Sequence, residues 1–360
     1  MNKIYPIIMA GGQGKRFWPK SREAEPKQLI KLLSKTTLIE QTIERQLKLA
    51  PPENIFVITN AQYKKTMDAI LPIPNENIIG EPFGRDTAPC VGLAAALVKA
   101  KSNDNAVMML LPADHVIHNT EEYTKTMRNA AEIAQSSNAI VTIGINPTSP
   151  STAYGYIECG EKIKNIKGTF YKSKGFKEKP NKKTAEEFLN SENFKWNAGM
   201  FLWSVKTITD ALNKNAPQIG KMVDNLLPYI GQKNFNKKLE EEYKKQEKIS
   251  IDYAVMEKAE DVFVAECTFD WDDVGSWTAV EKHLNKDENN NVTTGLSVSL
   301  NSKNNIIVGE QNHLIGLVDI ADIVIVHTKT ATLICPKKSA EKVKNLVQII
   351  EGNDNMKTFL

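Results

Sequence analysis

Short apolar runs alternate with helix-like segments through the first half of this chain, and this alternation limits the folds open to it. A strand that is apolar on both faces must be covered on both sides, which is typical of parallel sheets in α/β proteins. The predicted buried strands are Lys3–Met9, Ile55–Thr59, Val107–Leu111 and Ile140–Ile145, and the helices predicted between them include Leu38–Ala50 and Thr87–Ala100. We therefore predict an α/β fold with a mixed, mostly parallel sheet that carries helices on both faces.

The first predicted helix has a start signal as well as an apolar face. Thr37 and Glu40 stand three positions apart, as in a capping box. Ile39, Ile43 and Leu47 follow at helical spacing. Both signals predict a helix that begins directly after Thr37.

The middle of the chain, residues 150–285, mixes short strands with helices. Lys206–Lys248 is predicted to be largely helical, with breaks near Pro217 and Pro228. The predicted strands of this region are Tyr154–Glu158, Gly175–Glu178 and Gly199–Trp203.

The sequence pattern changes after Lys286, from mixed strands and helices to a polar run followed by short β-rich pieces. Asp287–Asn291 is polar and reads as a linker, and Ser339–Ile350 predicts an amphipathic helix near the C-terminus. The short β-rich pieces between them are Leu296–Leu300, Asn305–Val308, His313–Leu317, Ile323–His327 and Ala331–Ile334. We therefore predict a large domain over 1–287 and a small β-rich domain over 288–360 that ends in a helix.

Charge and cysteine content exclude several classes of function. The formal net charge is only +3 over 360 residues, and no long basic run with interleaved aromatics occurs, so we expect no nucleic-acid partner and no membrane partner. No segment is long and apolar enough for a membrane span. The four cysteines are scattered, without a CxxC pair or metal-ligand spacing, which is typical of reduced thiols in a cytoplasmic protein.

A glycine-rich loop with several cations follows the first predicted strand. Glycines let the backbone approach a ligand and point its N–H groups inward, so the pattern predicts an anion-binding loop suited to a triphosphate. A tight turn without a ligand is the alternative. The loop is not a P-loop, and Phe17 stands where the dinucleotide-binding fingerprint needs glycine. The candidate residues are Gly11, Gly12, Gly14, Lys15, Arg16 and Lys27.

Aspartates in two segments are candidate ligands of a metal ion. Asp114 comes directly after the third predicted strand, and the adjacent Asp272 and Asp273 lie in the segment WDDVGSW that begins at Trp271, where one of the two faces the metal ion. Carboxylates can bind Mg²⁺ while phosphate oxygens complete its coordination shell. The alternatives are that Asp114 holds a turn or caps a helix, and that Asp273 or Ser276 caps the helix that follows.

A third group of polar residues lies on the short strands of the middle region, beside aromatic residues. Such a mixture suits a sugar, whose hydroxyls need paired donors and acceptors and whose apolar face needs contact area. The residues are Gly155, Glu158, Glu178, Lys179 and Asn197.

Eight segments resemble those of the bacterial mannose-1-phosphate guanylyltransferases, a family of sugar-nucleotide pyrophosphorylases. They occur in the family's order between residues 9 and 277, and RFWPxS with PKQ, WNAGMF and DYAVMEK are the most specific. The segments are MAGGQGKRFWPKSREAEPKQ, GEPFGRDTAPC, LLPADHVI, YGYIE, FKEKP, WNAGMFLW, SIDYAVMEK and FDWDDVGSW. The resemblance implies a Rossmann-like nucleotidyltransferase domain and a small C-terminal domain of left-handed β-helix type. It also implies the short form of the enzyme, without a phosphomannose isomerase domain.

The resemblance implies a reaction and roles for residues. The family transfers GMP from GTP to mannose 1-phosphate, giving GDP-mannose for polysaccharide biosynthesis and pyrophosphate, with Mg²⁺ as the cofactor. By their places in the motifs, Arg16 would bind the triphosphate and the departing pyrophosphate, and Lys27 would hold the sugar phosphate and the α-phosphate. Asp114 and Asp273 would ligate Mg²⁺. The expected nucleotide-binding residues are Gly11, Gly12, Gly14, Lys15, Glu81, Pro82, Arg85, Thr87 and Ala88, and the expected mannose-binding residues are Gly155, Glu158, Glu178, Lys179 and Asn197. We also expect a homodimer.

One departure from the family pattern leaves the nucleotide preference open. Asp86 stands where the family commonly has Asn, and an added carboxylate near a triphosphate repels it unless Arg85 or a metal ion offsets the charge. Two alternative functions remain: a guanylyltransferase for heptose or fucose 1-phosphate, and a non-catalytic GDP-mannose-binding regulatory paralogue. The second alternative is disfavoured because Arg16, Lys27 and both candidate metal ligands are present.

Overall fold

The computed structural model describes residues 3–360, and the chain divides into two compact units. Unit 1 holds the chain up to Gly11 together with two internal segments, Ile43–Ala113 and Ile117–Trp271. Unit 2 holds Gly12–Thr42, Asp114–Val116 and Asp272–Leu360. Most of the glycine loop and both candidate metal ligands therefore share a unit with the C-terminal residues.

Unit 1 contains a nine-stranded mixed sheet flanked by helices. Its strands are β1 (Ile4–Ala10), β2 (Phe56–Asn60), β3 (Ile78–Glu81), β4 (Val107–Pro112), β5 (Ile140–Ile145), β6 (Tyr156–Lys162), β7 (Phe170–Lys177), β8 (Phe194–Ser204) and β9 (Val262–Glu266). The α-helices of the described chain are α1 (Leu38–Gln46), α2 (Ala61–Ile70), α3 (Thr87–Lys101), α4 (Thr120–Ser137), α5 (Lys182–Asn190), α6 (Val205–Asn215), α7 (Pro217–Leu226), α8 (Phe235–Lys244), α9 (Ile251–Ala254), α10 (Trp277–Val280) and α11 (Val343–Glu351).

The strand order of this sheet is β3-β2-β1-β4-β8-β5-β9-β7-β6, and β8 also pairs with β6. The half that contains β1 to β4 is parallel, and β5 pairs in parallel with β9. β8 runs antiparallel to both β4 and β5 and joins the two parallel parts. The predicted α/β class with a mixed sheet is confirmed. Residues directly after β1 and β4 lie at the carboxyl edge of the parallel half, where α/β proteins bind ligands.

Burial on both faces explains why the strands read as continuous apolar runs. Met108 and Leu110 of β4 pack in one core with α3, whose residues from Ala88 to Val98 are all buried. Val107, Met109 and Leu111 of the same strand pack in a second core with α4. A strand between two such layers has no solvent face, so it shows no polar alternation.

The capping box predicted at the start of α1 is present. The Thr37 backbone N–H donates to Glu40 Oε2 at 2.7 Å, and the Glu40 N–H donates to Thr37 Oγ1 at 3.3 Å. The helix ends at Gln46 and not at Ala50 as predicted. Residues 47–50 form turns instead, since Pro51 and Pro52 follow and proline disfavours helix in the residue before it.

The C-terminal part of unit 2 contains short strands from successive coils of the chain, and these strands pair with one another. These strands are β10 (Val292–Thr294), β11 (Leu296–Leu300), β12 (Ile306–Val308), β13 (Leu314–Val318), β14 (Ile323–His327) and β15 (Thr332–Pro336). β10, β12 and β14 pair in parallel, β11 pairs in parallel with β13, and β15 closes the first sheet in an antiparallel sense. Parallel pairing of strands this close in sequence is the β-helix arrangement that was predicted.

The polar stretch predicted as a linker is part of this coil. Asp287 accepts the backbone N–H groups of Asn289 and Asn291, at 2.9 and 2.7 Å. Asn291 is 2% exposed, and its Oδ1 accepts from the Nδ2 of fully buried Asn305 at 3.0 Å. The linker prediction was therefore wrong, because these asparagines bond turns of successive coils inside the unit.

Other boundaries also differ from the predictions. Glu178 lies just beyond β7 and not within a strand, and β8 is longer than the predicted Gly199–Trp203. A 3₁₀ segment, Lys337–Lys342, precedes α11, so the predicted C-terminal helix begins four residues late. Pro217 occupies the first turn of α7, where its missing N–H is not needed.

Among residues 3–360, no helix has the length and apolarity that a bilayer crossing needs.

Candidate active site

The glycine loop of unit 2 depends on glycine at one position above all. Gly14 has φ +65°, and a Cβ there would collide with the Cβ of Lys27. The 3₁₀ turn Lys15–Phe17 follows directly. Glycine at position 14 therefore allows the loop to close against Lys27, which places Lys15, Arg16 and Lys27 in one region.

The aromatic residues of the family motifs are packing residues. Phe17 is 1% exposed and meets the ring of Trp277 edge-on at 5.1 Å between centroids. Trp277 Nε1 donates to the carbonyl of Trp18 at 3.3 Å. The loop after Gly12 and the WDDVGSW segment are thus held together by a buried aromatic core of unit 2, while their charged residues remain outside it.

Lys27 is the central cation of the site. It is 6% exposed, its Nζ lies 3.0 Å from Asp114 Oδ2, and it donates to the backbone carbonyl of Asp273 at 2.6 Å. Burial opposes ionisation of Asp114, but Lys27 and neighbouring His115 outweigh this and hold the pKa of that carboxyl below its ordinary value. The Asp114 carboxylate is therefore ionised at neutral pH.

The two adjacent aspartates of the WDDVGSW segment do different things. Asp272 is 9% exposed, accepts the Val274 N–H at 2.7 Å and lies 3.0 Å from Lys282 Nζ. Despite burial, hydrogen bonds from His283, Lys282 and Val274 lower the pKa of Asp272 to about 2. Asp272 is thus occupied in holding the turn, whereas Asp273 lines a cavity.

The backbone of this turn is strained. Val274 has φ +44°, which is an outlier for a β-branched residue, and its side chain is fully buried. The buried core and the Asp272 hydrogen bond hold Val274 in this conformation. Asp114 does not cap α4, which begins after Asn119, and Ser276 makes no side-chain cap bond to α10.

A cavity of about 440 Å³ brings together most of the residues predicted around the triphosphate and the metal. Its predicted members are Gly14, Lys15, Arg16, Lys27, Asp114 and Asp273. Phe17, His115, Gly275, Lys344 and Gln348 also line it, and the sequence predicted no phosphate or metal role for any of them. Gly12 is an exposed part of the same loop.

The donor set of this cavity fits a divalent cation of the magnesium type. Within residues 3–360, no cluster of three or more His, Cys, Asp or Glu side chains could hold a metal by itself. Two carboxylates beside several cations are the expected arrangement when most remaining ligands are phosphate oxygens and water. Asp114 and Asp273 are the carboxylates that could serve.

Unit 1 holds the residues predicted around the base. Glu81 is 7% exposed, and its Oε1 accepts from the hydroxyl of buried Tyr243 at 2.9 Å. Burial raises the pKa of Glu81 to about 7, although the Tyr243 hydrogen bond works in the opposite direction. A Cβ at Gly11 would lie 3.7 Å from Glu81 Oε2, so the end of β1 and this carboxylate are neighbours.

The remaining predicted base-site residues mostly support the local fold. The Ala88 N–H donates to Ile249 O at 3.1 Å, and Thr87 Oγ1 accepts from the Ile251 N–H at 2.8 Å. Arg85 Nε donates to Tyr243 O at 3.4 Å, and Pro82 is half-buried after Glu81.

Asp86 has a local role in the structure that was not predicted from the sequence. It caps α3, because its carboxylate accepts the Thr87 N–H at 2.8 Å. Its φ of +66° is one that Asn and Asp tolerate better than most residues, so either can occupy this position.

The predicted sugar-binding residues of unit 1 come together in part. Asn197 Nδ2 donates to Asp252 Oδ1 at 3.0 Å, and its backbone N–H donates to Gly155 O at 2.8 Å. A Cβ at Gly155 would collide with Glu178 Oε2, so the end of the Glu178 side chain lies directly against this glycine. Four of the five predicted sugar-binding residues therefore lie close together in the structure: Gly155, Glu178, Lys179 and Asn197.

Glu158 is less closely tied to this group, and its carboxylate accepts from Asn193 Nδ2 at 3.4 Å. Asp252, by contrast, belongs to the group and was missed. Burial, and then the negative charge of Glu178, raise the pKa of Asp252 to about 6. The only sequence signal for it was its place in the DYAVMEK motif.

Comparisons with known proteins agree with this architecture. A family model described as Nucleotidyl transferase matches residues 5–290, and one described as MannoseP isomerase/GMP-like beta-helix domain matches residues 295–350. A mannose-1-phosphate guanylyltransferase of Escherichia coli is 37% identical over 355 residues, which are 97% of this chain and 76% of that protein. One from Klebsiella pneumoniae is 36% identical over 362 residues, 97% of this chain and 74% of that protein.

A solved structure extends the similarity to the fold. It is a Thermus thermophilus protein described as a mannose-1-phosphate geranyltransferase, 33% identical, with a TM-score of 0.87 over 97% of this chain and 99% of that one. The chain therefore belongs to the nucleotidyl transferase family and, within it, to the mannose-1-phosphate guanylyltransferases.

Proposed function

We propose that this protein transfers GMP from GTP to mannose 1-phosphate and releases pyrophosphate. The observation that carries the proposal is the cavity of unit 2, in which Lys27 lies between Asp114 and the backbone of Asp273 while Lys15 and Arg16 stand beside them. A site with several cations and two carboxylates suits a polyphosphate that arrives with a divalent metal ion. The guanylyltransferase relatives support this choice of substrates.

In the proposed reaction, a phosphate oxygen of mannose 1-phosphate attacks the α-phosphorus of GTP. A bond forms between that oxygen and the α-phosphorus, and the bond from the α-phosphorus to the bridging oxygen of the β-phosphate breaks. The electron pair leaves with pyrophosphate. The protein forms no covalent bond, so its contribution is positioning and charge neutralisation.

Each cation has a stated place in this reaction. Lys27 holds the attacking phosphate and the α-phosphate together, and its contacts with Asp114 and the Asp273 carbonyl fix its position. Arg16 and Lys15 neutralise the β- and γ-phosphates. Backbone N–H groups of Gly11, Gly12 and Gly14 bind the phosphates without side-chain interference.

Nucleotidyl transferases of this family generally use a divalent metal ion, and we propose Mg²⁺ held by Asp114 and Asp273. The ion would neutralise the part of the phosphate charge that the lysines alone leave uncompensated.

Residues of unit 1 offer hydrogen bonds for the base and the sugar. An ionised Glu81 can accept both N–H groups on the Watson–Crick edge of guanine, a donor pair that adenine lacks. Asn197, Glu178 and Lys179 offer donors and acceptors for mannose hydroxyls.

The test is pyrophosphate release with Mg²⁺ across a grid of four nucleoside triphosphates and mannose, glucose, fucose and heptose 1-phosphates. GTP with mannose 1-phosphate should give the highest kcat/KM. A higher value with another sugar phosphate would reassign the sugar, and no release from any pair would overturn the enzyme assignment.

We further propose a homodimer and a cytoplasmic location. Neighbouring β11 and β13 expose Leu296, Val298, Leu300, Leu314 and Val318, each at least 46% exposed, and such a row favours burial against a second copy. Light scattering at micromolar concentration tests the dimer.

The cysteines support the cytoplasmic location. All four are free thiols, which is typical of proteins in a reducing compartment.

The division into a catalytic domain over 1–287 and a β-helix-like domain over 288–360 also stays a proposal. The two family matches, which meet between residues 290 and 295, support it. The compact units are drawn differently, because the loop from Gly12 onward packs with C-terminal residues.

A further inference from the structure

One side of the C-terminal helix region carries four polar residues at helical spacing. Glu341, Lys344, Gln348 and Glu351 are separated by three, four and three positions, which places them on one face. Val343, Val347 and Ile350 alternate with them and are buried in the core of unit 2 that also holds Phe17 and Trp18. Because this apolar stripe anchors α11, the polar face has a fixed direction.

The polar face contacts the glycine loop at both ends. Arg16 Nε lies 2.8 Å from Glu341 Oε2, and Lys15 forms an ion pair with Glu351. Between these two contacts, Lys344 and Gln348 line the cavity that also contains Lys27 and both candidate metal ligands.

Charge distinguishes Lys344 from the other cations of the cavity. Lys15, Arg16 and Lys27 each have a carboxylate within ion-pair distance, whereas in the described part of the chain no ion pair includes Lys344. Its side chain is exposed and faces the cavity. A polyphosphate with several negative charges would meet Lys344 without first displacing a carboxylate.

We propose that Lys344, assisted by Gln348, is a polyphosphate-binding residue contributed by the C-terminal segment, and that it contacts the two phosphates that leave as pyrophosphate. This rests on the proposed function. Lys344 lies between the contacts of Arg16 and Lys15, the cations assigned to those phosphates, and on the same helix face as their partners. Residues beyond 290 thereby take part directly in the nucleotide site.

The test compares K344A with K342A, which removes the same charge from an exposed neighbouring lysine that does not line the cavity. Calorimetric titration with inorganic pyrophosphate and Mg²⁺ should show a Kd for K344A raised on the order of tenfold, because a charge-assisted hydrogen bond is lost. K342A should stay within about twofold of the wild type, and K344R should keep most of the affinity. In steady-state assays of K344A, the KM for GTP should rise while the KM for mannose 1-phosphate changes little.

The two proposals fail in different ways. If the wild type makes GDP-mannose and binds pyrophosphate, yet K344A binds pyrophosphate as the wild type does, the role of Lys344 is overturned and the proposed function stands. If K344A and K342A weaken binding equally, the effect is one of general surface charge, which also overturns it. If the wild type makes no GDP-mannose, the proposed function fails whatever Lys344 does. Thermal melting of K344A should match the wild type, since Lys344 is exposed.

Discussion

Two carboxylates around the candidate site in unit 2 and two in unit 1 are held in opposite electrostatic states. In unit 2, Asp114 and Asp272 are both close to lysine, and the pKa of each is lowered even though burial opposes ionisation. In unit 1, Glu81 and Asp252 are buried without a cation that outweighs desolvation, so burial raises the pKa of each.

The difference matches two kinds of recognition. Ionised acids that are paired with lysines form a site for phosphates and metal ions, because the side chains already carry their charges before such a ligand binds. Acids with pKa values near neutrality are costly to ionise, and they recover that cost only when a ligand donates hydrogen bonds to them. We infer that unit 2 provides charge neutralisation and unit 1 provides selection of the base and the sugar.

Loss of Lys27 should have the largest effect, because it removes the charge that holds the paired arrangement of unit 2. We expect K27A to lose about 10²–10³-fold in kcat, the range seen when one preorganised electrostatic contact is removed. Rapid-quench measurement of GDP-mannose formation gives the value. Exposed Lys31 in the same segment offers a matched control, and K31A should keep its activity. Near-wild-type kcat in K27A would remove Lys27 from the mechanism.

The adjacent aspartates allow the next test within one turn. D273N should lose on the order of 10²-fold in kcat with an unchanged melting temperature, since Asp273 faces the cavity and Asp272 holds the turn. D272N should lose about 1–3 kcal/mol of unfolding free energy through the hydrogen bonds of Val274, Lys282 and His283. Denaturant unfolding and kcat on both variants separate the roles. The opposite pattern would exchange them.

The stabilising effect of Asp272 also has a direction in pH. Its folded pKa, about 2, lies below the ordinary value of 3.8, so the ionised form is favoured in the folded protein. This contribution is fully present above pH 3.8 and is lost as the pH falls through about 2. D272N should therefore differ from the wild type less at pH 2 than at pH 7.

Glu81 tests the other side of the comparison. E81Q keeps the size of the side chain but can accept only one of the two guanine N–H groups, so we expect the KM for GTP to rise about tenfold. Because the folded pKa of about 7 exceeds the ordinary 4.5, the wild type loses stability as the pH rises between these values. E81Q should thus be up to about 3 kcal/mol more stable than the wild type at pH 8 and little different at pH 4.5.

Denaturant unfolding at the two pH values measures this difference. Y243F is the companion variant, because it removes the hydrogen bond that favours the ionised form of Glu81. If E81Q and the wild type have equal free energies of unfolding at pH 8, ionisation of buried Glu81 does not destabilise the fold and the prediction is wrong.

Local patterns predicted the elements of this protein better than they predicted its contacts. The buried strands β2, β4 and β5 and the capping box at Thr37 follow from apolar runs and side-chain chemistry that act over a few residues. The glycine at position 14 could be recognised as special, but its collision partner, Lys27, could be identified only from the fold.

Three residues, two of them in the candidate site, depend on contacts that no local pattern contains. Asp252 reads as an ordinary helix-start acid, and only the fold brings it to Asn197. Lys344 reads as a solvated lysine until α11 is placed beside the loop. The polar run around Asn291 predicts a linker, since the burial of Asn291 depends on coils that form later in the chain.

Asp252 should give the smallest effect, because one hydrogen bond in a polar neighbourhood is typically worth about 0.5–1.5 kcal/mol. In D252N the amide can still bond Asn197 but carries no charge, so we expect the KM for mannose 1-phosphate to rise a few-fold with the KM for GTP unchanged. The pKa of about 6 adds a pH signature: between pH 5 and pH 7 the wild-type KM for the sugar phosphate should change by more than ionisation of the substrate phosphate alone causes, and D252N should keep only the part due to the substrate. Exposed Asp224 on α7 offers the control, and D224N should keep the full change. If D252N instead raises the KM for GTP, Asp252 belongs to nucleotide binding, and the assignment of sugar selection to this neighbourhood of unit 1 would have to be withdrawn.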